Sequence, residues 1–221
     1  MTKHLRHHLE QLERQLLHLA GDVEEAVRRS IKALLERRMG LAERVIEGDV
    51  EIDRQEVELE EDCLKALALH QPVASDLRFV AACLKIDNDL ERIGDLAANI
   101  AKRVVHLCSR SRSLDIPSGF ADMLEITARM VKESIDSFVR GDAVLARRVC
   151  EADDQVDRCN GRIIERLLER MHEDDANIDD AMDYISISKA LERIADHATN
   201  VAEDVMYLVD GEIVRHQVGK A

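Results

Sequence analysis

A chain of 221 residues with a formal charge of −14, 46% hydrophobic but only 2% aromatic residues, no Trp and two Pro points to helices packed through aliphatic side chains, because strands and turn-rich folds favour the residue types that are scarce here. The acidic balance excludes nucleic acid as the main partner, since neutralising phosphates needs a basic footprint, and Arg37, Arg38, Arg110 and Arg112 are too dispersed to make one. No apolar run approaches the roughly 18 residues of a membrane span, the start Met1-Thr2-Lys3-His4 leads into a polar helix rather than a signal peptide, and the expected address is the cytoplasm without direct membrane insertion.

In chain order, apolar residues recur at helical spacing from His4 to about Arg38 (Leu5, Leu9, Leu12, Leu16, Leu19, Val23, Val27, Ile31, Leu34), predicting a long first helix. Gly40 breaks it, a second helix runs from about Leu41 to Leu69, and Gln71-Pro72 ends that one. The third runs from Val73 to Cys108, with Ser75-Asp76 offering N-terminal capping chemistry. A polar segment containing Pro117 separates it from helices at Gly119–Arg140, Asp142–Met171 and Ile178–Val209. The predicted fold is therefore all-α, six helices in two tandem, pseudo-symmetric three-helix bundles over residues 1–110 and 118–210, with a linker at 111–117 and a flexible tail at 211–221. Cys63, Cys83, Cys108, Cys150 and Cys159 sit inside these helical patterns without a CxxC pair and read as small apolar residues rather than a zinc site or a disulfide framework.

The two halves are copies. Leu90-Glu91-Arg92-Ile93-Gly94-Asp95-Leu96-Ala97-Ala98-Asn99-Ile100-Ala101 returns 101 residues later as Leu191-Glu192-Arg193-Ile194-Ala195-Asp196-His197-Ala198-Thr199-Asn200-Val201-Ala202, and Leu41–Glu47 matches Leu145–Glu151 at an offset of 104. A three-residue shortening of the intervening loop accounts for the change in offset.

Each copy repeats an acidic pattern. Asp87, Glu91, Asp95 and Asn99 follow at i+4 on the third helix, as do Ser188, Glu192, Asp196 and Asn200 on the sixth. Neither row contains a cation to relieve its self-repulsion. Helical geometry sets these rows opposite the apolar stripe Leu90, Ile93, Ala97, Ile100 and Val104, so they are expected to face outward. An ordinary solvated face is one reading. The other comes from Asp49/Asp53 and Asp153/Asp157, pairs on the preceding antiparallel helices that can approach the rows and complete a site for a hard cation such as Mg²⁺, Ca²⁺, Mn²⁺ or iron. Arg92 and Arg193, beside the rows, are expected to hold the carboxylates by ion pairs, while His197 reads as structural. The sole Glu-x-x-His pair, Glu169 with His172, lies at a helix end without a counterpart, which counts against a di-iron oxidase. No nucleophile with a neighbouring base or phosphate-cradling loop is present, so the sequence reads as a binding protein and not an enzyme. A metal-storage protein or metal-dependent enzyme and a purely structural scaffold stand as the alternatives.

These motifs, with the segment Gln71-Pro72-Val73-Ala74-Ser75-Asp76-Leu77-Arg78, resemble the PhoU family, accessory and regulatory proteins of bacterial high-affinity phosphate uptake, over nearly the whole chain. The resemblance implies surface metal clusters on Asp49, Asp53, Glu91, Asp95, Asp153, Asp157, Glu192 and Asp196, with Asp87, Asn99, Asn200, Arg92 and Arg193 in support. It also implies negative control of phosphate uptake and of the phosphate-starvation response, by contact with the ATPase subunit of the phosphate transporter and with a sensor histidine kinase. Membrane association would then be peripheral, through those partners. Replacement of Asp87 by Ser188 and of Gly94 by Ala195 predicts a second site holding fewer ions or holding them more weakly. Long amphipathic helices predict a homodimer, with Leu16, Leu17 and Leu19 as a partner-facing surface.

Overall fold

The computed structural model describes residues 3–110 and 114–211. Six α-helices account for nearly all of them: α1 Lys3–Glu36, α2 Met39–His70, α3 Ala74–Ser109, α4 Phe120–Arg140, α5 Ala143–Glu173 and α6 Ile178–Asp210, with a 3₁₀ turn at Asp175–Asn177 before α6. Every predicted helix is present within a few residues of its expected ends. The tail from Glu212 and linker residues Ser111–Ser113 lie outside the described residues, and Gly211 caps α6 in the left-handed conformation at φ 76°.

Helices α1, α2 and α3 pack on one another, α4, α5 and α6 do the same, and α3 lies along α6. The buried aliphatic residues of all six helices consequently form one continuous core. This arrangement places α3 and α6 centrally. Along α3, Asp87, Asp89, Leu90, Ile93, Gly94, Leu96, Ala97, Ala98, Ile100 and Ala101 are all buried, which spans more than one face of the helix. The expectation that the acidic rows face outward is therefore corrected at their first positions, where Asp87 and Ser188 are buried at 1% and 0% exposure. Further along, Glu91, Asp95 and Glu192 are half-buried and Asp196 is exposed, beside a solvent-facing stripe of α3 that includes Asn88, Arg92 and Asn99.

The offset change has the expected origin. At the offset of 101 the ends of α3, Ala74 and Ser109, correspond to Asp175 and Asp210, so the 3₁₀ turn Asp175–Asn177 together with α6 matches the whole of α3. At the offset of 104 His70 corresponds to Asp174, and the three residues without a counterpart are Gln71, Pro72 and Val73 of the connection between α2 and α3. Shortening a connection leaves every helical residue on its original face, so both copies keep the same pattern. Ser75-Asp76, by contrast, does not cap α3: its N-cap is Val73, which makes no side-chain capping bond. The proposed partner surface on α1 is likewise corrected, because Leu16 and Leu19 are core residues at 1% and 0% exposure and Leu17 is half-buried against them.

Equivalent helix ends are built differently in the two halves. α4 ends on Gly141 at φ 58°, whereas the corresponding position after α1 is Arg37 at φ 49°, a conformation that glycine adopts freely and other residues do not. Arg37 holds it because its guanidinium donates to the Leu114 carbonyl and to the Tyr184 hydroxyl, at 3.2 Å to the latter. The same end of the molecule is fastened by two nearly buried carboxylates in the first turns of α6. Asp180 accepts from Arg110 and from the Leu114 amide, and Asp183 pairs with Arg103 at 3.3 Å and Arg110 at 3.0 Å. Their position near a helix N-terminus favours negative charge as well.

Gly94 sets how closely α2 and α3 approach. A Cβ there would stand 3.1 Å from Ile52 Cγ2. At the corresponding positions of the second half stand Ala195 and Val156, so one methyl group has moved from the α2-type helix to the α3-type helix. Gly94→Ala should accordingly couple to Ile52→Val. The double variant is expected to be more stable than the sum of the single effects by about 1 kcal/mol, measured by denaturant unfolding in a double-mutant cycle.

Candidate metal centre

Helix α2 carries Asp49 and Asp53 one turn apart, and α3 brings Asp95 between them, so that one carboxylate oxygen of each lies within 4.8 Å of the others. This is the only group of three or more potential His, Cys, Asp or Glu ligands at such spacing among the described residues. Asp49 is raised above the usual carboxylate range, first by burial and then by Asp53 and Asp95, with Lys102 partly opposing. Its buried Oδ1 has no hydrogen-bond partner. A buried anionic oxygen without a donor is costly, and a cation held between the three carboxylates removes that cost.

The acidic row continues past this trio. Glu91 is raised by burial, then relieved in part by Arg92 and opposed by Asp95, Glu56 and Asp53. Asp87 is pushed up to about 8 by burial and by Glu56, Glu60 and Glu91, and its Oδ1 also lacks a partner. Glu56 and Glu60 are not among the residues expected from the sequence. Their signal was available, since with Asp49 and Asp53 they continue the same face of α2 at i+3 and i+4 spacing.

In the second half Asp153 and Asp157 on α5 and Asp196 and Glu192 on α6 occupy the corresponding positions. Asp153 is pushed up to about 6 by burial and by Asp196, Asp157, Asp154 and Glu192, and its Oδ1 is buried without a partner. The extension is absent, however. Glu56, Glu60 and Asp87 correspond to Asn160, Ile164 and Ser188, and the Ser188 hydroxyl donates to Asn160 Oδ1 at 2.7 Å. Asn160 also donates to Glu192, lowering its affinity for a proton against the raising effects of burial and of Asp157 and Asp196. A neutral hydrogen-bonded pair thus stands where the first half has mutually repelling acids.

The supporting residues divide. Arg92 pairs with Glu91 at 3.3 Å and with Asp95 at 3.4 Å, as expected. Arg193 makes no ion pair within 4.0 Å among the described residues and instead lines a cleft between α3 and α6, as does Asn99. Asn200 donates to Asp89 on α3 at 3.1 Å, which takes it away from the acidic group, and His197 contacts the same carboxylate at 2.7 Å. The helix-to-helix contact of α3 with α6, which cannot be read from either repeat alone, recruits these side chains.

Both acid sets fit a hard cation by donor type: carboxylate oxygens from two rigid helices, with buried lone pairs unsatisfied by protein donors. Without a cation they make the fold sensitive to pH. A carboxyl whose folded-state pKa lies above its ordinary value contributes stability that is greatest below that ordinary value, about 3.9 for Asp, and is lost as pH rises through the folded pKa. The metal-free chain should therefore become less stable between about pH 4 and about pH 8, through Asp153 first and Asp87 later. In urea unfolding, Asp87→Asn is expected to flatten the upper part of this slope and to raise the midpoint at the alkaline end.

Comparison with known proteins agrees with this architecture. The PhoU domain model matches residues 16–104 and again 120–205. The chain is 42% identical over 209 residues to the phosphate-specific transport system accessory protein PhoU homolog of Aquifex aeolicus, covering 95% of this chain and 94% of that one. It is 40% identical over 211 residues to the homolog of Pseudomonas aeruginosa, covering 94% and 86%. The crystal structure of PhoU from P. aeruginosa superposes with a TM-score of 0.89 at 38% identity, over 94% of this chain and 99% of that one. That of the phosphate transport system regulatory protein PhoU from Streptococcus pneumoniae gives 0.88 at 30% identity, over 95% and 99%. A duplicated three-helix unit, an acidic motif repeated in both copies and full-length similarity in sequence and structure establish that this chain belongs to the PhoU family.

Proposed function

We propose that the chain is a phosphate-transport accessory protein that restrains high-affinity phosphate uptake and the phosphate-starvation response when phosphate is plentiful, acting as a metal-binding adaptor between transporter and sensor kinase. The accessory role follows that of the relatives, phosphate-specific transport system accessory proteins that align over nearly its whole length. The observation that carries the metal part is the repetition, in both halves, of a buried carboxylate oxygen with no donor facing further acids on the neighbouring helix.

In the first half Asp49, Asp53, Asp95 and Glu91 would hold the ion or ions, with Glu56, Glu60 and Asp87 extending the donor set; in the second, Asp153, Asp157, Glu192 and Asp196. A bound Mg²⁺, Mn²⁺, Ca²⁺ or iron ion would neutralise the repelling carboxylates and lock α2 to α3 and α5 to α6. The second half, with Ser188 and Asn160 in place of acids, would hold fewer ions. A non-catalytic role is consistent with the absence, among the described residues, of a nucleophile paired with a base. No described helix is long and apolar enough to cross a membrane, and contact with membrane components would pass through partners. For a homodimer, α2 offers Val50, Val57 and Leu64 at heptad spacing, exposed at 70%, 51% and 52%.

Plasma mass spectrometry of the purified chain after equilibration with Mg²⁺, Mn²⁺ and Fe²⁺ should find retained metal that is lost in the Asp95→Ala/Asp196→Ala variant; absence of metal from the wild-type protein refutes the metal reading. In the cell, deletion of the gene should derepress phosphate-regulon expression in rich phosphate, and expression that stays repressed refutes the regulatory reading.

A further inference from the structure

The repeat supplies an internal comparison for the two ends of the α3–α6 contact. At one end, the N-terminal half of α3 meets the C-terminal half of α6, and polar groups close the gap. Lys85 pairs with the buried Asp204 at 2.9 Å and lies over the Tyr207 ring, and Asp89 accepts from Asn200 and contacts His197. At the other end the corresponding positions carry different chemistry. Asp89 becomes Ala190 and His197 corresponds to Leu96, which removes the buried polar pair, while Glu203, Asp204 and Tyr207 correspond to Lys102, Arg103 and His106. The result is a cleft of about 600 Å³ floored by Leu96 and Ala190, with Lys102, Arg103, His106, Lys189 and Arg193 around it and no acid among its lining residues.

This concentration of positive charge is unusual in a chain of net charge −14. Lys102, Lys189 and Arg193 make no ion pair within 4.0 Å among the described residues, although Asp49, Glu192 and Asp196 of the acidic sets lie near enough to act on them. Arg103 and His106 are steadied from behind by the nearly buried Asp183, at 3.3 Å and 3.7 Å, a carboxylate that also serves Arg110. The acids that satisfy cations at the opposite end have no counterpart here. Cations gathered around a concave surface focus the field and attract an anion, Arg forks and Lys ammonium groups suit phosphoryl oxygens, and the volume is that of a small-molecule site.

We infer that the cleft between the C-terminal half of α3 and the N-terminal half of α6 binds a small molecule bearing an oligophosphate chain, at a site separate from the carboxylate clusters. A single phosphate ion reaches too few of the four cations, Lys102, Arg103, Lys189 and Arg193, to use the site fully. An oligophosphate spans from Arg103 and His106 on one helix to Lys189 and Arg193 on the other, and the Leu96–Ala190 floor can take an apolar or planar appendage such as a nucleoside.

Isothermal titration of the full chain with inorganic tripolyphosphate and, separately, with ATP tests this, using both metal-loaded protein and protein stripped of metal by chelator and dialysis. One equivalent should bind in both preparations, more weakly as salt is raised. Lys189→Gln/Arg193→Gln should lose affinity by on the order of tenfold or more with an unchanged melting temperature. The charge-matched Arg54→Gln/Arg140→Gln variant should bind as wild type. Equal affinity for the two probes assigns recognition to the phosphates, and tighter ATP binding adds the floor. Binding by neither probe overturns the inference, as does equal loss in both variants. So does binding confined to metal-loaded protein, which makes the anion a ligand of the metal, or capture of an oligoglutamate peptide in place of both probes, which makes the cleft a docking site for an acidic protein segment. Because metal-stripped protein is included, failure here leaves the metal reading standing, and failure of the metal reading leaves this one testable.

Discussion

The packing of α3 against α6 is the constraint on which the rest of the molecule depends. Each three-helix unit has its own aliphatic stripe, but the units are joined through α3 and α6, the helices that carry the repeated acidic rows, and those helices are packed on several sides. Charged groups that would be solvated on a peripheral helix are thereby moved into partial burial. Burial is the leading cause of the raised carboxyl pKa values at Asp49, Asp87, Glu91 and Asp153, and neighbouring acids add to it. A surface that would be merely acidic becomes one in which lone pairs go without donors.

Duplication gave both halves the same starting pattern, and the differences between them show what each position contributes. Where Gly94 faces Ile52, the second half has Ala195 and Val156, which preserves the amount of side chain between the helices. Where Asp87 and Glu56 repel, the second half has a hydrogen bond between Ser188 and Asn160. Where Asp89, His197 and Asn200 knit α3 to α6, the opposite end has Ala190, Leu96 and Asn99 and stands open. One substitution conserves packing, one exchanges charge repulsion for a neutral bond, and one converts a closed polar contact into a cationic cleft.

Much of the fold was legible in the sequence. Six helices, their order and their approximate ends follow from a 3.6-residue apolar period punctuated by Gln71-Pro72, Pro117 and Gly141, because these are local properties of the chain; the break expected at Gly40 falls instead at Arg37-Arg38, and Gly40 lies inside α2. The acid pairs Asp49/Asp53 and Asp153/Asp157 and the Glu-xxx-Asp motifs were legible too, since i and i+4 residues share a helical face whatever surrounds it. The face that Glu56 and Glu60 share with Asp49 and Asp53 was equally local and was obscured only by the many other acids of α2.

The roles of Arg193, Asn99, Asn200, His197 and Asp89 could not be read in the same way. Each is decided by which helix lies opposite, and a side chain's repeat position fixes its direction but not what it meets. The sequence by itself determined the helices, the duplication and the identity of the carboxylates that converge. Tertiary structure decided that the acidic rows are buried at Asp87 and Ser188 and graded towards the surface beyond them, that one end of the α3–α6 contact is sealed by ion pairs, and that the other is left open and positive. The physical reason is that periodicity reports one buried face, whereas a central helix is buried on several, and the extra faces are assigned only when the two halves of the chain come together.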